Sequence, residues 1–331
     1  MEYTTLGRTG LKVSVAGLGC GGFSRLGLGT GKSEADAIGI IHAALDLGVN
    51  LFDTAAAYGT EPVLGKALRG VAREEVVICT KAPFGISAAG SSPERAVASL
   101  DRSLQELGTD YIDVYQLHGV APSGYQHAVE VIAPALLRER EKGKFRHLGI
   151  TETAPGDPTH EMVQRACRDG VWEVAMVAFH MMHQNARAAV FPLTQEHGVG
   201  TLLMFAVRNI FSRPERLAAT MRELADDGEL PRDLADNPDP LGFLVHDNAA
   251  GGGASSVVDA AYRFVRHEPG VDVVLFGTGD VEHLHTNIAS LLKPRLPEAD
   301  RDRLARLFGH LVGVGLDAPH LSRRTGRVTN R

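Results

Sequence analysis

Short apolar runs alternate along this chain with longer stretches of helical period. The β-like runs cover residues 13–18, 50–53, 76–81, 112–118, 145–151, 174–179, 201–205 and 271–276. Several are apolar at both parities, as in VVICT from Val76 and VVLFG from Val273, the pattern of strands covered on both faces. The helical stretches between them carry start and stop signals. Ser33-Glu34-Ala35-Asp36 reads as a capping box, and Ser92-Pro93-Glu94 places proline at the first helical position. Gly48, Gly108, Gly143 and Gly198 follow helical runs where C-terminal glycines belong. Strand–helix alternation repeated eight times predicts parallel strands with right-handed crossovers, and within 331 residues it favours a closed (β/α)8 barrel over an open doubly wound sheet.

Residues 3–6 and 11–13 flank Gly7-Arg8-Thr9-Gly10 and predict a β-hairpin ahead of the first unit. The regular alternation breaks at 208–256, which holds a charged helix over 214–227, a Pro/Asp-rich stretch and Gly251-Gly252-Gly253. Loops of that length on a barrel are usually functional or mobile. The whole chain, 1–331, reads as one barrel domain, with a basic frayed tail expected from Pro319.

Composition narrows the function classes. Lys plus Arg number 34 and Asp plus Glu 40, a net charge of −6, so no basic field argues for nucleic acid. Cys20, Cys79 and Cys167 lie far apart and match neither a disulfide framework nor zinc-ligand spacing. No basic-then-apolar leader is visible at the N-terminus, and no apolar run approaches the ~18 residues of a membrane span. The expectation is a soluble cytoplasmic protein that needs no metal.

Two glycine-rich patterns invite a nucleotide-binding reading. Gly17-Leu18-Gly19-Cys20-Gly21-Gly22 matches GxGxxG after a strand, but helical period resumes only near Ser33, whereas a Rossmann helix must start at once to meet a pyrophosphate. Gly29-Thr30-Gly31-Lys32-Ser33 resembles the end of a P-loop, yet Leu26 stands where that pattern needs glycine. Both are better read as loops through which a ligand or the chain passes closely.

The chemistry lies at the strand ends. Asp53 closes the second run, Tyr58 follows in the next loop, Lys81 closes the third run and His118 the fourth. In a (β/α)8 barrel these ends form the catalytic face. Tyrosine, with an ordinary pKa near ~10, is a poor acid at neutral pH. A neighbouring ammonium favours its phenolate, an aspartate holds that ammonium, and a histidine can orient a substrate oxygen.

The segments that carry these residues resemble the aldo-keto reductases: GVNLFDTAAAYGTEPVLGKAL (48–68), VVICTK (76–81), LGTDYIDVYQLH (107–118) and GKFRHLGIT (143–151), extended by LGRTGLKVS near the start and GTGDVEHLHTNIASL (277–291). The resemblance implies a TIM barrel closed at the bottom by its N-terminal hairpin, NAD(H) or NADP(H) bound at the top, and carbonyl–alcohol interconversion of an aldehyde, ketone or aldose by hydride transfer. It makes Tyr58 the general acid/base, Lys81 and Asp53 its tuning pair, and His118 the substrate-orienting group.

For the cofactor the resemblance implies Thr151 and Glu152 where the family has Ser-Asn, Met176 for its Gln, and Met204 for the aromatic that stacks on nicotinamide. At the adenosine end it implies Gly277, Thr278, Asp280, His283 and Asn287, with His180 in place of a family Asn. Asp280 admits two readings: acceptor for a ribose hydroxyl, repelling a 2′-phosphate and so leaning to NAD, or plain N-cap of the last barrel helix. Residues 131–152 resemble members that oxidise aldoses such as galactose. His180 and Met182, with loops 23–31, 84–90, 119–126 and 208–256, are expected to line the substrate pocket. The alternative class is a non-catalytic nicotinamide-binding subunit on the same barrel, like the β-subunits of potassium channels. A metal-dependent barrel hydrolase would need strand-end ligands beyond Asp53 and His118.

Overall fold

The chain opens with an antiparallel pair, β1 (Tyr3–Thr5) and β2 (Lys12–Ser14), in a computed structural model that describes residues 1–84, 91–246 and 252–316. Eight parallel strands follow: β3 (Ala16–Gly19), β4 (Leu51–Asp53), β5 (Val77–Pro83), β6 (Ile112–Val120), β7 (Phe145–Glu152), β8 (Val174–Ala178), β9 (Gly200–Met204) and β10 (Val273–Phe276). They pair in chain order and β10 closes on β3, the predicted (β/α)8 barrel. The apolar run at 13–18 divides between hairpin and barrel. Ser14 Oγ donates to the Ala16 carbonyl, and the Ser14 N–H donates to Asn50 Oδ1, which turns the chain between the two sheets.

The hairpin plugs the bottom. Leu6 and Val13 are fully buried in one cluster with Leu51, Val77, Val114, Val174, Leu202 and Val273, which the barrel strands contribute mostly near their starts. Arg8 fastens the plug by donating to the carbonyls of Trp172 and His197, each at 2.7 Å. Gly7 passes so close to β9 that a Cβ there would stand 2.2 Å from the Gly200 nitrogen. A larger cluster lies between the strands and the surrounding helices and includes Phe52, Ile78, Tyr115, Ile150, Val177 and Phe276. The opposite parity of these residues explains why the strands read as apolar on both faces.

The predicted caps are present. Ser33 and Asp36 exchange bonds as a capping box for helix Glu34–Asp46, and Ser92 caps Pro93–Leu107, which ends on left-handed Gly108. The long insertion contains helices Arg208–Ser212, Pro214–Asp226 and Arg232–Ala235, and Leu217, Met221 and Leu224 bury its apolar side. Gly251 and the tail from Pro319 lie outside the described residues. Among the described residues no helix is long and apolar enough to cross a membrane.

Candidate active site

Three adjacent strands bring the predicted acid–base group together at the C-terminal end of the barrel. Asp53 ends β4, whereas β5 and β6 continue two residues beyond Lys81 and His118. Lys81 is completely buried, and its Nζ donates to Asp53 Oδ2 and to the Thr54 carbonyl, each at 2.7 Å. Gln116 Nε2 lies 3.4 Å from the other oxygen of Asp53. Burial opposes the ammonium, but the charge of Asp53 and the nearby Tyr58 outweigh it and hold Lys81 above its ordinary pKa. Burial raises the Asp53 pKa while Lys81 and Gln116 pull it down, and the 2.7 Å contact joins Lys81 and Asp53 as an ion pair.

Tyr58 sits on a one-turn helix, Ala56–Tyr58, in the loop after β4. Its ring centre lies 5.0 Å from Lys81 Nζ, and its hydroxyl lies 3.3 Å from His118 Nε2. The ammonium pulls the phenol pKa down as the sequence reading expects, yet burial is the larger effect and leaves Tyr58 above its usual value. The acid form thus persists through neutral pH.

Gly21 was legible only as part of a false nucleotide motif. No α-helix starts directly after it, only a kinked 3-10 turn over Arg25–Thr30, and a Cβ there would stand 2.4 Å from Tyr58 Cε2. Its missing side chain is the space the Tyr58 ring occupies. Thr54 and Gln116 were likewise unflagged, since nothing in their spacing announces a bond to the buried pair.

The expected cofactor residues lie along β7 to β9, in the loop after β10 and on the helix that follows it. Thr151 is buried, and its Oγ1 accepts the Gly119 N–H at 2.7 Å. The Glu152 side chain is fully buried: Oε1 accepts the Ala178 N–H, and Oε2 meets His160 Nδ1 at 2.8 Å. His160 Nε2 faces Asn185 Oδ1, and the Asn185 amide nitrogen is committed to the Pro158 carbonyl. Acceptors at both nitrogens favour the imidazolium form of the ring. Burial pulls its pKa down, but the Glu152 charge prevails and raises it.

Met176 is buried within the barrel, while Met204 and Leu275 are half-exposed above the same cluster. Gly277 is exposed, and Thr278 Oγ1 accepts the Asp280 N–H. Asp280 is the N-cap of helix Val281–Leu291, its Oδ1 accepting from the Glu282 and His283 N–H groups, with Lys32 Nζ 3.6 Å from Oδ2. His283 is exposed and Asn287 is buried on that helix.

Two pocket expectations need correction. His180 and Met182 are fully buried, and the segment around Gly313 and Gly315 packs against His180 and its neighbour His183. The Gly313 N–H donates to His183 Nδ1, and a Cβ at Gly315 would stand 3.2 Å from His180 Cε1. Burial pushes the His180 pKa down to about 3, so this ring is neutral. Residues 85–90 of the expected pocket loops lie outside the described residues.

A closed parallel barrel with this acid–base group at its C-terminal rim defines a class, and comparison with known proteins names it. The Aldo/keto reductase family model matches residues 17–307, and the chain belongs to that family. An L-galactose dehydrogenase of Arabidopsis thaliana is 32% identical over 208 residues, 61% of this chain and 64% of that protein. The chain spans less than two-thirds of the length of the curated relatives it matches, at 64% and 58%. The fold is shared with the holo form of an aldo-keto reductase from Bacillus halodurans, at TM-score 0.68 and 23% identity, over 96% of this chain and 100% of that one. A thermostable aldo-keto reductase bound to the inhibitor epalrestat also shares it, at TM-score 0.67 and 20% identity over 93% and 100%.

Proposed function

We propose that this chain interconverts carbonyls and alcohols with a nicotinamide cofactor, with Tyr58 as the general acid and base. The observation that carries the reading is the Tyr58 hydroxyl, 3.3 Å from His118 Nε2 and set over the buried Lys81–Asp53 pair. The family implies the cofactor, and the barrel mouth fits one. Met204 and Leu275 offer a half-exposed apolar floor for a flat ring. Gly19 and Gly277 leave a gap that a side chain would fill, since a Cβ at Gly277 would stand 3.3 Å from the Gly19 carbonyl.

A reduced nicotinamide, when bound, supplies hydride to the carbonyl carbon. This chain's residues manage the proton. Tyr58 gives its phenolic proton to the carbonyl oxygen as that oxygen gains charge, and His118 hydrogen-bonds the same oxygen and orients it. The Lys81 ammonium stabilises the phenolate left behind, and Asp53 and the Thr54 carbonyl fix that ammonium in place. In oxidation the proton travels the other way.

Among the candidate cofactor residues, Thr151 and Met204 suit the nicotinamide end, with Met176 beneath it. Glu152 supports this rim from within, joining β7 to β8 through the Ala178 N–H. Gly277, Thr278, Asp280, His283 and Asn287 suit the adenosine end. There the reading leans to NAD(H). Asp280 Oδ1 is occupied by the helix cap, but the exposed carboxylate keeps its charge, as its bonds to the helix N–H groups hold its pKa low. Lys32 offsets part of the repulsion that a 2′-phosphate would meet.

The likeness to an L-galactose dehydrogenase favours an aldose oxidised at C1, with small aldehydes and ketones as the other substrate class. The test follows 340 nm absorbance with both nucleotides against aldoses, aldehydes and ketones. Turnover of at least one class is expected. Tight nucleotide binding without turnover across the panel would instead indicate a regulatory subunit.

A further inference from the structure

β6 and β7 do not keep one register. Leu117 pairs with Ile150, and the next pair is Val120 with Glu152, so β6 advances three residues against two of β7. The extra residue makes a β-bulge at His118–Gly119, and bulges re-aim the side chains they carry. Gly119 takes φ +70°, a conformation that suits glycine. The ladder has lost its register here, and the Gly119 N–H donates to Thr151 Oγ1 at 2.7 Å, in the neighbouring strand. A part-buried N–H stripped of that acceptor is costly, so the bulge would rearrange without it. The His118 ring that this bulge presents is the one that meets the Tyr58 hydroxyl.

We infer that Thr151 is a positioning residue for His118: its hydroxyl holds the β6 bulge that aims the His118 ring at Tyr58 and the substrate oxygen. This rests on the proposed role of His118. It is a different task from touching a cofactor, and the two are compatible. The hydroxyl accepts from Gly119 through a lone pair, and its own hydrogen can donate elsewhere.

The test is a double-mutant cycle with a structural arm. Thr151→Val keeps shape but removes the hydroxyl, and Thr151→Ser restores it on a smaller side chain. Thr151→Val is expected to lower kcat roughly tenfold or more in the wild-type background and less than about twofold beside His118→Ala, because coupled residues are non-additive. Thr151→Ser is expected to recover most of the rate. In cofactor-free protein, the His118 ring resonances are expected to shift in Thr151→Val and to return in Thr151→Ser. Equal losses in both backgrounds, with weaker nucleotide binding and an unmoved His118 signal, would overturn the proposal and leave Thr151 as a cofactor contact alone. If His118→Ala is impaired while Thr151→Val is not, this inference fails and the role of His118 stands. If His118→Ala turns over at the wild-type rate, that role falls and the inference with it.

Discussion

At the scale of single residues, what matters around Tyr58 is as much the atom that is missing as those present. Gly21→Ala places a methyl inside the space of the Tyr58 ring, 2.4 Å from Cε2, so the ring has to move while every ionisable group is retained. A kcat loss of about tenfold or more is expected with little change in thermal stability, on the scale by which small misplacements of catalytic groups slow reactions. Steady-state kinetics beside a melting curve would show it, and an unaltered kcat would separate Gly21 from the site. Asp280 offers a second residue-scale test. Asp280→Arg removes a carboxylate and adds a guanidinium suited to phosphate, for which ~2–3 kcal/mol, or roughly 30- to 150-fold, in relative NADP(H) preference is expected. Fluorescence titration with both nucleotides measures it. If Asp280 is a cap and nothing more, Asp280→Asn leaves both affinities unchanged, and Asp280→Arg costs stability at the helix start.

Between residue and molecule, the strand rims are stapled by side chains. Thr151 ties β7 to the β6 bulge, and Glu152 ties β7 to β8 while holding the His160 ring. Removing one partner of a buried ion pair leaves the other uncompensated, a loss of about 3–5 kcal/mol. His160→Gln is expected to destabilise the fold to that extent. The pH dependence follows from the sign of the shift. The His160 pKa is raised on folding, so its contribution is complete below the ordinary histidine value of ~6.5 and is lost as pH rises through the folded value. The gap in urea midpoint between wild type and His160→Gln is therefore expected to narrow toward alkaline pH. A gap that widened with pH would show that the ring is neutral in the native protein. None of this was legible beforehand. The strands announced themselves through apolar residues at both parities, and Asp53, Lys81 and His118 stood out as charged or polar ends to apolar runs. The bulge, the Glu152–His160 pair and the covering of His180 depend on contacts between segments that no local period encodes. Asp280 was half legible: its capping geometry followed from its place before a helix, and the Lys32 partner did not.

Across the whole molecule, the buried hairpin plug and the proposed acid–base group occupy opposite ends of the barrel. Leu6, from the hairpin, is fully buried in the bottom cluster. Leu6→Ala is expected to cost roughly 2–5 kcal/mol with kcat little changed below the unfolding temperature. Chemical denaturation and kinetics on the same variant would reveal any leak between the two ends. The central claim concerns the other end: a proton from Tyr58 accompanies hydride transfer. Its most direct test is the single-turnover rate of nucleotide oxidation at 340 nm, with a turned-over carbonyl substrate, in wild type and Tyr58→Phe at equal nucleotide saturation. The account expects nucleotide affinity to be nearly unchanged and the rate to fall by roughly 10²–10⁴-fold, the range of a lost general acid. A Tyr58→Phe protein that transfers hydride at close to the wild-type rate would contradict it.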